Sequence, residues 1–194
     1  MTSIKEDIKC PNCKKKNRVK IIEECNKEHI ESIIDRSFFS VKCKECNETI
    51  TIDHPITIKT DKYLIYYTPT SDKTIKDKTK IDVKRVCDTY DDLKEKLLIL
   101  EDDLNDVLIE FIKSFYKMKI DDEVRKDLKE IRYNCKLEDQ LVFSLVGTNK
   151  SIGCPLFFYN DLLKNSRIKK IKYAELVDEH TYKKYYRMKG LLWN

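Results

Sequence analysis

The sequence predicts an α+β protein, in which antiparallel strands surround two pairs of cysteines, a long amphipathic helix follows, and strands and a helix form the C-terminal portion. Three observations lead to this prediction. Two C-x-x-C pairs stand near the N-terminus, and a strand-like run follows each pair. Leucine and phenylalanine recur every three or four residues in the middle of the chain. Short apolar runs bounded by turn residues come after them.

The two cysteine pairs predict a metal site of the zinc-ribbon kind. The four candidate ligands are Cys10, Cys13, Cys43 and Cys46. In each C-x-x-C pair the short loop lets both sulfurs face one point, and two pairs can complete a tetrahedron around one ion. We therefore expect one structural Zn²⁺ per chain. Iron in a rubredoxin-like site, a redox dithiol pair and metal-free thiols remain as alternatives.

The residues around these pairs form a pseudo-repeat of thiol knuckle followed by strand. RVKII follows the first pair and ETITID follows the second. Five lysines near the pairs would favour the thiolate forms: Lys14, Lys15, Lys16, Lys42 and Lys44. Between the pairs, Ile30, Ile33 and Ile34 have helical spacing, so a short helix is expected as an insertion, with a strand over 37–41 leading into the second pair.

The middle of the chain is predicted to contain two strands, a loop and a helix. KYLIYYTP (62–69) and IDVKRV (81–86) have the composition of strands, and the polar segment 68–80 between them predicts a mobile loop. The leucine periodicity predicts a helix over about 89–116, with a break near 102–105 as the alternative. The expected organisation is a zinc-ribbon region (1–67), the polar loop (68–80) and an α+β portion (81–194) that packs on the ribbon as one compact unit.

The last third is predicted to begin with strands at EIRYNC, QLVFSLV and SIGCPLFF, with a turn at 147–149. A short helix is expected over 159–165, and KKIKYAELV follows as a final strand or strand–turn. In the tail, Tyr182, Tyr185 and Leu192 fall near one helical face.

Composition limits the classes of protein to consider. Hydrophobic residues make up 41% and charged residues 38% of the 194 residues, as in a soluble globular protein. No apolar run approaches the roughly 20 residues that cross a bilayer, and the first ten residues lack the apolar core of a signal peptide. We therefore expect a cytoplasmic protein without a membrane-spanning segment, in which thiols stay reduced.

Several other residues are candidates for chemistry, and each has a simpler interpretation. Cys25, Cys87, Cys135 and Cys154 stand singly and are expected to be small buried apolar residues, with Cys87 as the best candidate for a reactive thiol. His54 could substitute for a metal ligand, but four thiolates already complete a tetrahedron.

Charge is unevenly distributed around a net of +5. Residues 88–123 carry an excess of acidic groups, and Asp103, Asp106 and Glu110 could share one helix face, which we expect to be a solvated stripe. Residues 124–194 carry 15 basic and 8 acidic side chains. There, 164–173 and 180–194 mix lysine with aromatic residues, which suits either nucleic-acid binding or a basic surface with its tyrosines packed in the core.

Taken in this order, the segments resemble the CpXC family of bacteria and archaea, which is named for two C-P-x-C motifs. The resemblance rests on CPNC with its strand, the short helix and FFSVKCKEC, and it extends to RVCDTYDDLKEKLLILEDDLNDVLIEFIK, over most of residues 5–165. In the second motif Lys44 replaces proline, and Lys14 and Asn47 stand where glycine is common after such knuckles. All four thiols remain, so the resemblance implies the metal site and this architecture, but no reaction.

The expected function is a zinc-stabilised, non-catalytic module that binds a protein partner or regulates one. No nucleophile lies near a base in the sequence, and a closed four-thiolate site has no open position, so we do not expect an enzyme. The alternative is a nucleic-acid-binding protein that uses the ribbon and the basic C-terminal third. A broad apolar patch would favour the first function, a clustered basic face the second, and a cleft lined by Asp103, Asp106 and Cys87 an enzyme.

Overall fold

The computed structural model describes residues 2–69, 74–75 and 79–189. Its contacts divide the chain into two compact units. The N-terminal unit is Met1–Lys94 with Tyr173–Glu175, and the C-terminal unit is Glu95–Lys172 with Leu176–Asn194. The sequence placed the division in the polar segment 68–80. The structure places it at Lys94, because the strand that follows the polar segment belongs to the sheet of the N-terminal unit.

The described residues contain runs of short strands, mostly antiparallel, and five α-helices, which is an α+β class. The strands are β1 Ser3–Lys9, β2 Lys16–Ile22, β3 Glu24–Cys25, β4 Ser40–Lys42, β5 Thr49–Thr51, β6 Ile56–Lys59, β7 Tyr63–Tyr67, β8 Thr74–Ile75, β9 Val83–Cys87, β10 Glu130–Lys136, β11 Gln140–Val146, β12 Lys150–Pro155, β13 Ser166–Ile168, β14 Ala174–Glu175 and β15 Tyr186–Met188. The α-helices are α1 Ile30–Ile34, α2 Tyr90–Glu101, α3 Asp106–Lys119, α4 Asp122–Arg125 and α5 Leu156–Asn165. Short 3-10 helices cover Lys27–His29, Ser37–Phe39 and Tyr182–Lys184. None of the described helices is both long and apolar enough to cross a lipid bilayer.

Two antiparallel hairpins and one mixed sheet build the N-terminal unit. β1 pairs with β2, and β4 pairs with β5, which confirms the antiparallel strands expected around the cysteine pairs. The larger sheet has the order β3-β6-β7-β9-β14-β8. It contains three parallel pairs that the sequence did not predict, β3–β6, β7–β9 and β9–β14. In the last of these, β14 comes from a segment far along the chain. Of the predicted loop, residues 70–73 and 76–78 lie outside the described part, and β8 lies between them.

The helical insertion between the cysteine pairs is confirmed, and an aromatic cluster anchors it within the N-terminal unit. Phe39 is 1% exposed, and its ring makes edge contacts with His54, Tyr67 and Tyr90. The Tyr90 hydroxyl also donates to the carbonyl oxygens of Ile33 and Ile34, at the end of α1. The strand expected over 37–41 begins only at Ser40, because 37–39 form a 3-10 turn that directs Phe39 into this cluster.

The long helix predicted over 89–116 is divided into α2 and α3, at the break point that the sequence offered as the alternative. Asp103 has a left-handed backbone, with φ of 55°, which ends the first helix. Asn105 is extended, and its side chain accepts a hydrogen bond from the Leu108 backbone N–H, so it caps the start of α3. Residues 102–105 therefore end α2 at Asp103 and cap the start of α3 with Asn105.

In the C-terminal unit, β10, β11 and β12 form an antiparallel sheet, and β13 pairs with β15. The turn predicted at 147–149 is confirmed, with φ of 92° at Gly147. Buried side chains of α3, this sheet and α5 form the main core, including Leu108, Phe143 and Tyr159. The helical tail was predicted wrongly. Tyr182 and Tyr186 lie in a 3-10 turn and a strand, and their rings are buried in this core, while Leu192 falls outside the described residues.

The acidic stripe expected to be solvated on the long helix is largely buried. Asp106 is 2% exposed and forms an ion pair with Lys96 Nζ at 2.9 Å. Lys96 Nζ also donates to the Val177 carbonyl oxygen at 2.9 Å. Glu110 is 3% exposed and pairs with Lys113, and burial raises the pKa of its carboxyl group to about 7. Only Asp103 keeps the exposed position that the sequence predicted for all three.

We expect Asp106→Asn to lower the free energy of unfolding by about 3–5 kcal/mol, because it leaves the buried Lys96 ammonium without a counter-charge. Urea unfolding measures this change. Asp122→Asn is the matched control, since Asp122 pairs with Arg125 in the same unit but its side chain is 91% exposed. A surface pair of this kind contributes at most about 1 kcal/mol. Equal losses in the two variants would contradict the buried pair.

Candidate metal centre

The first cysteine pair lies in the tight turn that joins β1 to β2. The hairpin register brings Lys9 opposite Lys16, and the intervening residues form the knuckle. The Cys10 backbone N–H donates to the Lys15 carbonyl at 2.9 Å, and the Lys14 N–H donates to the Cys10 carbonyl at 3.1 Å. These two bonds fold the chain back on itself, so that both cysteines lie at the end of the hairpin.

The second pair repeats the same hydrogen bonds in the turn between β4 and β5. Here the register brings Lys42 opposite Thr49. The Cys43 N–H donates to the Glu48 carbonyl at 2.8 Å, and the Asn47 N–H donates to the Cys43 carbonyl at 3.0 Å. The pseudo-repeat predicted from sequence is thus confirmed down to individual backbone bonds.

Both knuckles require a left-handed residue at the same position. Lys14 has φ of 61° and Asn47 has φ of 59°, a conformation that glycine adopts without steric cost. Asparagine tolerates it well, whereas for lysine the cost is about 1–2 kcal/mol. The Lys14 ammonium donates to the Pro11 carbonyl at 2.5 Å, a contact within the knuckle. Lys14, at a position where glycine is common, therefore raises the energy of the turn but leaves its backbone shape unchanged.

The two knuckles bring their four sulfurs together. The Sγ atoms of Cys10 and Cys46 are 3.6 Å apart, and so are those of Cys13 and Cys43. All four lie within 4.8 Å of one another. Four sulfurs bonded at about 2.3 Å to one tetrahedral ion would lie about 3.8 Å apart. The cluster therefore has the composition and size of a site for a single metal ion.

The surroundings of Cys43 and Cys13 shift the pKa values of their thiols in opposite directions. The pKa of Cys43 is lowered to about 6, because the backbone N–H groups of Cys46 and Glu45 donate to its sulfur. At Cys13, a backbone hydrogen bond from Lys15 lowers the pKa, but desolvation and the neighbouring sulfurs together raise it to about 12. Sulfurs this close cannot all carry charge without a cation among them, because each thiolate disfavours the next.

Asn17 is the residue of this site that sequence reasoning missed. Its side chain is 2% exposed, and Nδ2 donates to Cys43 Sγ at 3.4 Å and to the Lys15 carbonyl at 3.2 Å. Its Oδ1 accepts from the Lys44 N–H at 3.0 Å. A residue of the first hairpin thereby supports the second knuckle. The sequence contained a signal for its burial, because strand alternation places Asn17 on the same inward face as Val19 and Ile21.

The other candidate residues lie apart from the sulfur cluster. The ring nitrogens of His54 lie 3.0 Å from the Ile52 carbonyl oxygen and 3.2 Å from that of Ile22, so His54 joins the ends of two strands. Cys25, Cys87 and Cys154 are buried and Cys135 is half-buried, as expected for single cysteines. Cys87 ends β9 and is 0% exposed, so its thiol has no access to solvent.

One comparison with known proteins gives a match, and the matched segment contains both knuckles. No curated protein and no solved structure matches the chain. The sequence profile of the CpXC protein family matches residues 8–113, which include both cysteine pairs, the helical insertion and most of α3. The match covers more than half of the chain and ends short of the residue 165 to which the resemblance was expected to extend. The protein therefore belongs to the CpXC family.

Proposed function

We propose that the protein is a non-catalytic binding module whose N-terminal unit is stabilised by one zinc ion held by Cys10, Cys13, Cys43 and Cys46. The single observation that carries this proposal is the convergence of two knuckles on sulfurs 3.6 Å apart. Four thiolates form a soft ligand set, which selects zinc or iron over calcium and magnesium. We favour zinc because it is the usual ion of C-x-x-C knuckle pairs with this spacing.

A structural role for the metal follows from the closure of the site. Four protein ligands complete a tetrahedron and leave no position for a substrate or an activated water. Cys10 and Cys43 are 0% exposed, whereas Cys13 and Cys46 are half-buried, so one sulfur of each knuckle is shielded from solvent. When bound, zinc would supply a cross-link between the two hairpins. The chain's own contribution is to set the knuckle geometry and to orient Cys43 through Asn17.

The partner of the module is proposed separately from its metal. A protein partner was expected from the sequence, and exposed apolar side chains on α5 support that proposal. Phe157 is 74% exposed and Leu163 is 44% exposed. Exposed aromatic side chains are favoured anchors in protein interfaces.

We also propose that the chain is not an enzyme. Burial of both Cys87 and Asp106 supports this proposal.

We expect the purified protein to contain one zinc per chain and to lack visible absorption, and we expect Cys10→Ser and Cys43→Ser to lose the metal. Metal coordination contributes on the order of 10–16 kcal/mol to the folding of comparable small sites, so both variants should unfold around the knuckles. Elemental analysis, native mass spectrometry and amide hydrogen exchange measure these effects. Cys135→Ser is the control and should keep both metal and fold, since Cys135 stands alone and is only half-buried.

Two outcomes would change this proposal. Variants that fold normally without metal would show that the cysteine cluster is not a folding centre. A coloured protein that contains iron would retain the site and replace the metal.

A further prediction concerns Asn17. We expect Asn17→Leu, which keeps the volume but removes the bonds to Cys43 Sγ and Lys44 N–H, to weaken metal affinity about 10–100-fold, as for other residues that orient metal ligands. Competition with a chromophoric chelator measures the affinity. Asn12→Leu is the matched control, because Asn12 also donates to a sulfur of the cluster, Cys46 Sγ, but over 3.9 Å and from an exposed position. Equal affinity of the two variants would show that Asn17 serves packing alone.

A further inference from the structure

β13 and β15 form a two-stranded antiparallel ribbon in the C-terminal unit, which we call the basic ribbon. In its register Ser166 faces Met188, Arg167 faces Arg187, and Ile168 faces Tyr186. Two further backbone bonds of 2.8 Å extend the ladder at its ends, from Lys169 N–H to the Tyr185 carbonyl and from Lys189 N–H to the Asn165 carbonyl. The ribbon is outside the part of the chain that matches the family profile.

The two faces of the basic ribbon differ in burial and in charge. Successive side chains of a strand point to opposite faces. Ser166 and Tyr186, on one face, are 8% and 5% exposed and contribute to the buried side of the unit. The opposite face carries four exposed cations, which are Arg167, Lys169, Arg187 and Lys189.

The charge of this face is not balanced by nearby carboxylates in the sequence. Segments 164–172 and 182–189 contain nine lysines and arginines and no aspartate or glutamate. Arg167 and Arg187 stand directly opposite each other, an arrangement that destabilises a strand pair by repulsion. Within the described ranges, neither arginine is joined to a carboxylate by an ion pair. A bound anion would relieve this repulsion.

We propose that the basic ribbon binds double-stranded DNA, with Arg167 and Arg187 at the centre of the contact. Its shape fits, because two strands about 4.8 Å apart with cations along their exposed face can enter a major groove about 12 Å wide. The groove of double-stranded RNA is too narrow for such entry. Single strands are bound by stacking of bases on exposed aromatic rings, and Tyr186, the aromatic residue of the ribbon strands, is only 5% exposed.

This inference adds duplex DNA, on a separate surface, to the protein partner proposed for α5, and it does not depend on the metal. The cysteine cluster lies in the N-terminal unit and the basic ribbon in the C-terminal unit. Zinc content and DNA binding, measured on the same samples of the full chain, therefore separate failure of the one proposal from failure of the other.

The test is a salt titration of DNA binding by fluorescence anisotropy, with a labelled duplex of about 20 base pairs between about 50 and about 200 mM salt. We expect Arg167→Gln with Arg187→Gln to lower the affinity about 10–100-fold. The plot of log affinity against log salt should become shallower by about 1.8, because each phosphate contact contributes about 0.9 to the slope. Arg167→Lys with Arg187→Lys should restore most of the slope, because the charges remain.

Lys5→Gln with Lys20→Gln is the matched control. These lysines also face each other across a two-stranded ribbon and are exposed, but that ribbon is β1–β2 of the N-terminal unit. The control should leave DNA affinity nearly unchanged. Equal losses in both double variants would reduce the effect to net charge and overturn the assignment to the basic ribbon.

Thermal unfolding without DNA shows whether the glutamine double variant is still folded, so that lost binding is not mistaken for unfolding. The glutamine double variant should unfold at the wild-type temperature or slightly above it, since it removes a repulsive pair. Unchanged binding in this variant when it is folded would refute the proposal. Tighter binding of single-stranded DNA, of RNA or of an acidic protein than of duplex DNA would equally refute it and would identify the class of partner that the face prefers.

Discussion

Convergence of four sulfurs at one point is the constraint on which the N-terminal hairpins depend. Cys13 and Cys43 are 30 residues apart in the chain, and bringing them together costs conformational entropy. The local core is small, with Cys10, Cys43 and Ile50 as its buried members. A core of this size contributes little against that entropy, and a metal cross-link between the two knuckles would offset it. If all four were thiolates, they would repel one another at these distances, and a cation bound among them would offset that repulsion.

Within this arrangement the two halves are alike in backbone and different in side chain. Both knuckles form the same pair of hydrogen bonds and place a left-handed residue after the second cysteine. Asn17 and Ile50 occupy corresponding positions, seven residues after the first cysteine of each pair, and both are buried. The isoleucine packs beside the sulfurs, whereas the asparagine bonds to one of them. The repeated backbone bonds thus give both knuckles the same shape, and Asn17 of the first hairpin orients Cys43 of the second.

The C-terminal unit is held by a conventional apolar core that also contains charge. Lys96 and Asp106 form one buried ion pair, and Glu95 is bonded by Lys113, Arg132 and the Tyr133 N–H. Buried pairs contribute little net stability over apolar residues, but they are costly to break. Their effect is therefore to fix how the end of α2 lies against α3 and β10. The helix break at 102–105 separates the two helices, and the Lys96–Asp106 and Glu95–Lys113 ion pairs join them across it.

The sequence by itself determined the cysteine pairs, the knuckle–strand pseudo-repeat, the helical insertion and the strands β10 and β11, because these depend on local spacing and alternation. Only the tertiary structure decided which faces are buried. Periodicity showed that Asp106 and Glu110 share a helix face but not that Lys96 and Lys113 would meet them inside the unit. It also could not pair Ser166–Ile168 with Tyr186–Met188, or add Ala174–Glu175 to a sheet that begins about 150 residues earlier. Such pairings depend on contacts between distant segments, which no local pattern encodes.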